Sequence, residues 1–253
     1  MLKPARKLLT AALSSKYYYA EFELLEPLAR EPLPLQFFNV WVPGVDELPM
    51  SISQYNGAKG VVSIIFKVVG KGTKALSEHR GFVGLKGPLG NGLDPCSYSK
   101  LLFIAGGVGI APLPFLSEYA SLCGVTVDVV WGVRSGSMLF DIRRFAKHVR
   151  EVNYATEDCS AGFCGTASSL AAKLLSKSGE WDVVVAAGPL AMLRDLCVFA
   201  GTGRDLYVSV DAIVKCGLGA CGSCTLKPHP KLLCVDGPVF KCNEVIEYLN
   251  RQP

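Results

Sequence analysis

The chain has 253 residues, 50% of them hydrophobic, which is enough apolar material for a sizeable core in one to three domains. Its 26 basic and 22 acidic residues leave a net charge of only +4 without a long basic run, so no nucleic-acid partner is predicted. The apolar run at 8–13 is too short for a signal peptide, and the weakly polar stretch at 101–116 is too short for a membrane helix. We therefore expect a globular, cytoplasmic protein without a membrane span.

Residues 16 to about 95 alternate short β-rich runs with turn residues, a pattern typical of an antiparallel barrel or sandwich. The runs are KYYYAEFELLEP, LPLQFFNVWVPG, PMSISQYN, GVVSIIFKVVG and GFVGLKGPLGNG. At the end of the fourth run, Gly70, Gly72 and Thr73 offer backbone N–H groups and a hydroxyl that could hold a phosphate. A plain loop explains these three residues equally well, and GPLGNG at 87–92 requires only a sharp turn.

From Lys100 onward strands alternate with helices, which predicts a parallel, doubly wound sheet. We expect strands at 101–107, 125–133 and 181–188, and helices at 112–124, 140–152 and 239–249. The predicted domains are therefore a β-barrel at 1–97, an α/β domain at 98–203 and a small cysteine-rich subdomain at 204–253.

Two glycine turns follow buried strands of the predicted sheet. The first, GGVGIAP at 106–112, precedes a helix pattern, where glycine lets the backbone approach a pyrophosphate at the helix N-terminus. The second, AAGPLAML at 186–193, repeats the arrangement after a later strand. Ligands bind at this edge of an open α/β sheet, but a tight turn without a ligand also explains each segment.

The cysteines near the C-terminus are the strongest signal in the chain. Cys216, Cys221, Cys224 and Cys234 follow the order C-x4-C-x2-C-x9-C, whose first three spacings are those of plant-type 2Fe-2S ligation. The glycines between them suit a loop that wraps a cluster and aims N–H groups at its sulfurs. A structural zinc and a disulfide knot are the alternatives, although zinc is more often held by two C-x2-C pairs.

The other six cysteines lack ligand spacing. Because a cytosolic chain lies in a reducing compartment, we expect them to be buried thiols rather than disulfides. One of them, Cys242, follows Cys234 closely enough to be a substitute ligand. The six are Cys96, Cys123, Cys159, Cys164, Cys197 and Cys242.

No arrangement of catalytic side chains stands out. The histidines, His79, His148 and His229, are scattered, and neither a Ser/His/Asp set nor a carboxylate pair is evident. This favours a redox protein whose cofactors carry the chemistry.

The order of these segments is similar to that of one family. The barrel, the α/β unit with its two glycine turns, and KCGLGACGSC with CVDGPVF resemble the electron-transfer subunit of B-type dihydroorotate dehydrogenase, in the ferredoxin-reductase superfamily. The resemblance covers nearly the whole chain and is most specific in the cysteine segment, then in GKGT followed by GPLGNG. It implies that the barrel binds FAD, the parallel sheet domain binds a nicotinamide, and the C-terminal subdomain holds a 2Fe-2S cluster.

The resemblance also implies which residues hold the FAD. The family uses an Arg-Pro-x-Ser stretch, a strand that faces the flavin, and a Gly-Thr at the phosphates. Leu48 replaces the arginine here, which removes a cation able to pair with the pyrophosphate, so Lys67 and backbone N–H groups are expected to contribute more. The matching residues are Leu48, Pro49, Met50, Ser51, Ile65, Phe66, Lys67, Gly72 and Thr73.

The nicotinamide site is implied by the two glycine turns. Ala187 stands where relatives usually carry a cysteine before Gly-Pro, so the acceptor could be a nicotinamide or another molecule. No acidic residue lies at a strand end about 20 positions beyond GGVGIAP, and Arg134 could accept a 2′-phosphate, so NAD and NADP both stay open. The implied residues are Gly106, Gly107, Gly109, Gly188 and Pro189.

By resemblance, a partner catalytic subunit with FMN oxidises dihydroorotate to orotate in pyrimidine biosynthesis. Its electrons pass singly through the cluster to FAD and then to NAD or another acceptor. A heterotetramer of two catalytic and two electron-transfer subunits is expected, with the cluster loop against the partner. The alternatives are a hydrogenase, sulfide-linked or ferredoxin–NAD(P) oxidoreductase subunit of the same fold, and a non-enzymatic interaction module stapled by zinc.

Overall fold

In the computed structural model, which describes residues 2–177, 180–199 and 205–251, two seven-stranded sheets form the protein. The first sheet is antiparallel and curls into a half-barrel with strand order β4-β3-β7-β1-β2-β6-β5. Its elements are β1 (Leu2–Ala12), β2 (Tyr17–Leu24), β3 (Phe37–Val42), β4 (Asp46–Ser51), β5 (Gln54–Asn56), β6 (Val61–Lys67), α1 (Lys71–Glu78) and β7 (Gly81–Leu89).

The second sheet is parallel except at one edge and has strand order β11-β10-β9-β8-β12-β13-β14, with β13 and β14 antiparallel. Its strands are β8 (Lys100–Gly106), β9 (Thr126–Val133), β10 (Val149–Thr156), β11 (Phe163–Cys164), β12 (Val183–Ala187), β13 (Asp205–Ser209) and β14 (Val239–Lys241). Its helices are α2 (Leu113–Leu122), α3 (Ala167–Lys177), α4 (Leu190–Phe199) and α5 (Cys242–Asn250). The predicted fold class, a barrel-like sheet followed by a parallel α/β unit, is confirmed.

Strand β6 shows how the two sheets are joined. Its residues alternate between two faces, as the pleat of a strand requires. Ile64 and Phe66 belong to the core of the half-barrel, whereas Ile65 packs with Leu101 and Phe103 of β8. One strand therefore contributes to both cores, and this shared packing fixes the space between the two units.

The helix predicted at 140–152 is wrong. A short 3-10 turn at Ile142–Arg144 is followed by β10, which pairs in parallel with β9 from Val149 onward. Phe140 and Phe145, which suggested a helical face, instead pack their rings on Trp131 and Tyr19. Pairing with β9 therefore outweighs the helical spacing of the apolar residues in this segment.

Several elements were not predicted from the sequence. The basic N-terminal segment forms β1, which lies inside the first sheet between β7 and β2, and helices α1, α3 and α4 were also missed. The predicted domain border at 203/204 falls within residues 200–204, which lie outside the described part, so it stays a prediction. Within the described residues, no helix has the length and apolar character needed to cross a membrane.

Candidate functional site

A cleft of about 270 Å³ separates the half-barrel from the parallel sheet, and we call it the interdomain cleft. Strands β4 and β6 form one wall, and the turns after β8 and β12 form the other. Apart from Gly72, every residue that the resemblance implied for FAD lines this cleft, and so do Gly109 and Gly188. The implied residues in the wall are Leu48, Pro49, Met50, Ser51, Ile65, Phe66, Lys67 and Thr73.

At one end of the cleft, α1 begins after Gly70. The Thr73 hydroxyl accepts hydrogen bonds from the N–H groups of Val69, at 2.9 Å, and Gly70, at 3.1 Å, and it donates to the Gly70 carbonyl. This hydroxyl is therefore already used to hold the turn. An anion here would meet the N–H groups of the helix's first turn, which have no intrahelical partner.

Leu48, which stands where the family has arginine, packs against this turn. A Cβ atom on Gly72 would lie 2.9 Å from Leu48 Cδ2, so the leucine occupies the space beside the glycine. The substitution therefore replaces a cation by an apolar contact between β4 and α1. The cationic contribution must come from elsewhere in the cleft.

Lys67, the last residue of β6, can supply the positive charge that Leu48 lacks. Its side chain lines both the interdomain cleft and the next cavity. Burial, and then the nearby charges of Lys16 and Arg134, lower the pKa of Lys67. Lys67 and Arg134 both line the nucleotide cavity with Lys16 nearby, and a phosphate bound there would offset the repulsion among these cations.

The second cavity, of about 430 Å³, lies at the carboxyl ends of β8, β9 and β12, and we call it the nucleotide cavity. The chain leaves β8 for β9 on one side and returns at β12 on the other, so this is the switch point where open α/β sheets bind ligands. Gly106, Gly107 and Pro189 line it, as implied by the resemblance. Arg134 and Glu157, which follow β9 and β10, also face it.

The glycines of the two turns are needed for packing before any ligand is considered. A Cβ atom on Gly106 would lie 2.7 Å from both Pro189 Cδ and Met192 Sδ, and one on Gly109 would overlap the Ala187 carbonyl. The indole N–H of Trp131 donates to the Gly107 carbonyl at 3.0 Å and fixes the first turn. Small residues therefore let the turns close on each other, and their shared edge forms the floor of both cavities.

The interdomain cleft continues into a cavity of about 260 Å³, which we call the cleft extension. Ser209 and Asp211 line both spaces, and Leu233, next to Cys234, lines the extension. Sequence reasoning missed Ser209 and Asp211. Their position at the carboxyl end of β13, the edge where ligands bind in open sheets, is the signal that could have found them.

The four cysteines lie in one glycine-rich segment, 216–234, which we call the cysteine loop. Its sulfurs form two pairs: Cys224 and Cys234 are buried with their Sγ atoms 3.4 Å apart, and Cys216 contacts Cys221 nearer the surface. Three glycines of the loop, Gly217, Gly219 and Gly222, have φ between +66° and +75°, which a side chain would disfavour.

Hydrogen bonds to the sulfurs show what the loop can hold. The Leu218 N–H donates to Cys216 Sγ at 3.4 Å, and hydrogen bonds between Cys221 and Ser223 lower the pKa of Cys221 to about 6. Burial raises the pKa of Cys234 to about 11, so this thiol keeps its proton near neutral pH, and binding a metal would displace that proton. Two thiol pairs with N–H groups aimed at them suit a 2Fe-2S cluster, in which each iron takes two cysteines.

The zinc alternative uses the same four cysteines. Among the residues that the structure describes, no three His, Cys, Asp or Glu side chains are placed as ligands of a single metal ion. The C-x4-C-x2-C spacing is the feature that favours a 2Fe-2S cluster over zinc.

The expectation that the other six cysteines are buried thiols is wrong. They form the disulfides Cys96–Cys123, Cys159–Cys164 and Cys197–Cys242. The fold brings the paired Cα atoms to 5.3, 4.3 and 5.4 Å, close to the usual disulfide range. Four of the six are exposed and two are half-buried, and Cys242 is committed to Cys197 rather than to the cysteine loop.

Comparisons with known proteins agree with this geometry. The model of the iron–sulfur cluster binding domain of dihydroorotate dehydrogenase B matches residues 211–246. A probable dihydroorotate dehydrogenase B (NAD(+)) electron transfer subunit of Archaeoglobus fulgidus is 36% identical over 218 residues, covering 84% of this chain and 87% of the relative.

Two solved structures share the fold. The NADH-dependent reduced ferredoxin–NADP oxidoreductase, studied for flavin-based electron bifurcation, has a TM-score of 0.81 at 25% identity and covers 98% of this chain and 93% of its own. A ferredoxin NADP+ reductase from Neisseria gonorrhoeae with bound FAD and NADP has a TM-score of 0.65 at 14% identity, covering 78% and 89%. The matched cysteine domain and the identity over most of both sequences show that this chain belongs to the family of dihydroorotate dehydrogenase B electron transfer subunits.

Proposed function

We propose that the chain carries electrons between a 2Fe-2S cluster in the cysteine loop, an FAD in the interdomain cleft and a nicotinamide in the nucleotide cavity. The observation that carries this proposal is the continuity of the three sites. Leu233, beside Cys234, lines the cleft extension, which shares Ser209 and Asp211 with the cleft. Lys67 then lines both the cleft and the nucleotide cavity, so cofactors placed in order would be neighbours.

The residues of the cleft divide the work of holding FAD. Leu48, Met50, Ile65 and Phe66 supply apolar walls, and Lys67 with the first turn of α1 supplies the positive end for a pyrophosphate. A bound flavin supplies the ability to exchange single electrons with an iron–sulfur centre and electron pairs with a nicotinamide. The side chains position it and exclude water, and none of them needs to react covalently.

The nucleotide cavity suits a nicotinamide dinucleotide as the electron acceptor. Its glycine turn at the switch point is the position for a pyrophosphate, and Arg134 and Glu157 stand at the ends of the next two strands. A carboxylate favours the ribose hydroxyls of NAD, whereas an arginine favours the 2′-phosphate of NADP. Comparing NADH with NADPH as reductants of the bound flavin decides which of the two side chains dominates.

We place the FMN-containing catalytic subunit against the cysteine loop, in a heterotetramer of two subunits of each kind. Ile213, Leu218 and Val235 are exposed around the loop, with 71%, 67% and 46% of their surface accessible. Such apolar side chains beside an electron-transfer centre suit a protein partner. A cytoplasmic location stays a prediction, and the three disulfides do not favour it, because disulfides are rare in reducing compartments.

The test is an anaerobic visible spectrum of the purified chain, with iron, sulfide, zinc and released flavin quantified on the same sample. We expect flavin bands close to one FAD per chain, and two irons with two sulfides that dithionite bleaches. A colourless protein that carries zinc after attempted cluster reconstitution would contradict the proposal. A protein with FAD but without iron would keep the flavin site and reject the cluster.

A second candidate is a ferredoxin–NADP oxidoreductase circuit without a dihydroorotate partner. The likeness to the solved oxidoreductase, which extends over 98% of this chain, favours it. Co-expression with the FMN-containing catalytic subunit separates the two functions. A stable complex that reduces the bound FAD with dihydroorotate supports the first function, and reduction by ferredoxin alone supports the second.

A further inference from the structure

Asp211 occupies the place where the interdomain cleft meets the cysteine loop. It lies between the end of β13 and Cys216, and its side chain lines both the cleft and the cleft extension. Ser51 and Ser209 line the same two spaces. In a cleft that holds FAD beside a cluster, this is the end nearest the cysteine loop, where the redox-active ring has to lie for electron transfer.

The segment that carries Asp211 is firmly held. Val210 and Val214, on either side of it, are buried in the core of the second sheet. The Val210 N–H donates to the Pro238 carbonyl at 2.9 Å, and the Asn39 side-chain amide donates to the Lys215 carbonyl at 3.2 Å. Asp211 is therefore directed into the cleft by its anchored neighbours.

Asp211 is suited to hold a proton. Asp211 is exposed along the wall of the cleft, and the protein groups beside its carboxyl displace enough water to raise its pKa. Among the described residues, no cation lies close enough to lower it. Lys67 stands elsewhere along the cleft, and Tyr248 of α5 lies near Asp211; burial, and then the proximity of Asp211, raise the pKa of Tyr248.

We propose that Asp211 is the proton donor and acceptor for the flavin, an inference that rests on the proposed FAD site. Complete reduction of a flavin takes up two electrons, here from the cluster, and two protons. Asp211 gives one proton from its carboxylic acid, and solvent in the cleft gives the other. Hydride transfer to the nicotinamide then removes both electrons with one proton, the remaining proton returns to the carboxylate or solvent, and Asp211 is again ready to donate.

The test is the pH dependence of the midpoint potential of bound FAD, measured by spectroelectrochemistry on the full chain with both cofactors. We expect the wild-type plot to change slope between the pKa values of Asp211 in the oxidised and the reduced protein, because negative charge on the reduced flavin raises the pKa of a neighbouring carboxyl and reduction there takes up a further fraction of a proton. Asp211→Asn should lose this break, and its flavin should be reduced roughly 10²-fold more slowly, as for other lost general acids. Asp211→Glu should restore the break.

Glu247→Gln is the matched control, because Glu247 is exposed on α5 and also loses a carboxylate. It should keep the wild-type potential at every pH. An Asp211→Asn protein that binds FAD and keeps the wild-type break overturns the role of Asp211 alone. A wild-type chain that binds no FAD overturns the proposed flavin site as well, so the two failures are distinct.

A second measurement does not depend on how Asp211→Asn folds. Carbon-13 NMR of the wild-type chain labelled at its aspartate carboxyls follows Asp211 directly, with its signal assigned by its loss in Asp211→Glu. We expect it to titrate above the ordinary aspartate value of about 3.9. An ordinary or lowered value would overturn the proposal.

Discussion

The six disulfide-bonded cysteines and the four cysteines of the loop belong to one chain but are placed in opposite ways. Cys96–Cys123 and Cys197–Cys242 join elements 27 and 45 residues apart, where the fold alone brings them together. The cysteines of the cysteine loop lie within one short segment that contains glycine turns, and none of the four forms a disulfide. The cysteines of these two long-range disulfides are thus brought together by tertiary structure, whereas the cysteines that serve a cofactor, like the local pair Cys159–Cys164, are brought together by local sequence.

Removing a cysteine of the cysteine loop should have the largest effect of the changes that test this comparison. Cys224→Ala takes one sulfur from the buried pair with Cys234, and we expect iron and sulfide to fall from about two per chain to almost none. FAD should stay bound, because Cys224 does not line the interdomain cleft. Iron and acid-labile sulfide assays on anaerobically purified protein measure the loss.

The matched control removes an exposed disulfide instead. Cys96→Ser with Cys123→Ser leaves the cysteine loop intact and should keep wild-type iron and sulfide. If this double variant lost the cluster, or if Cys224→Ala kept it, the division of the cysteines into two groups would be wrong.

The next largest effect, on the free energy of unfolding, is expected from removing the disulfide that joins α4 to α5. Cys197→Ser with Cys242→Ser opens a loop of 45 residues, which by chain entropy should lower the free energy of unfolding by about 4 kcal/mol. Denaturant unfolding of the oxidised proteins measures this difference. Iron content should not change at neutral pH, and its loss would show instead that Cys242 is a cluster ligand.

The same contrast explains what the sequence could predict. The spacing of Cys216, Cys221 and Cys224 was sufficient to propose a cluster, because the loop is built from neighbouring residues. All three disulfides were missed because a reducing compartment was assumed. For Cys197–Cys242 the sequence also gives no sign that two cysteines 45 residues apart come within reach, whereas Cys159 and Cys164 are only five residues apart. Asp211 was missed for a similar reason, since its role depends on a cavity made by three distant segments.

The fold shows the same limits. Strand β6 was predicted because the buried run VVSIIF needs no knowledge of its partners. The segment at 140–152 was predicted as a helix, since only pairing with β9 makes its second half a strand. Local patterns therefore gave the class of fold and the cluster, and long-range pairing decided the rest.

Two glycines of the cysteine loop allow a further test, with a smaller expected effect on cluster binding. Both have positive φ, but a Cβ atom on Gly219 would lie 2.9 Å from Val235 Cγ2, whereas one on Gly222 would meet nothing closer than 3.7 Å. Gly222→Ala should weaken cluster binding only by the left-handed strain, about 1–2 kcal/mol. Gly219→Ala should weaken it more, and chelator competition at fixed pH measures both. Equal losses would mean that contact with Val235 is irrelevant.

The smallest expected effect on stability comes from the ion pair between the cysteine loop and α5, the helix that carries the disulfide-bonded Cys242. Lys231 of the cysteine loop pairs with Glu244 of α5, the helix that begins at Cys242, and Glu244 also accepts from the Lys241 N–H at 2.8 Å. The Lys231 hydrogen bond is the main cause that lowers the pKa of Glu244. A carboxyl with a lowered pKa stabilises the fold above its unfolded pKa, and this contribution is lost as pH falls through the folded value.

Glu244→Gln should therefore lower the free energy of unfolding at pH 7 by less than about 1 kcal/mol, since the pair is partly exposed. The difference from wild type should shrink as the pH falls below the unfolded glutamate value of about 4.3. Urea unfolding at a series of pH values measures it, with Glu247→Gln as an exposed control on the same helix that should match wild type throughout. A difference that persists unchanged in acid would mean that the glutamine disturbs packing, and that the ion pair does not link the loop to the disulfide-bonded helix.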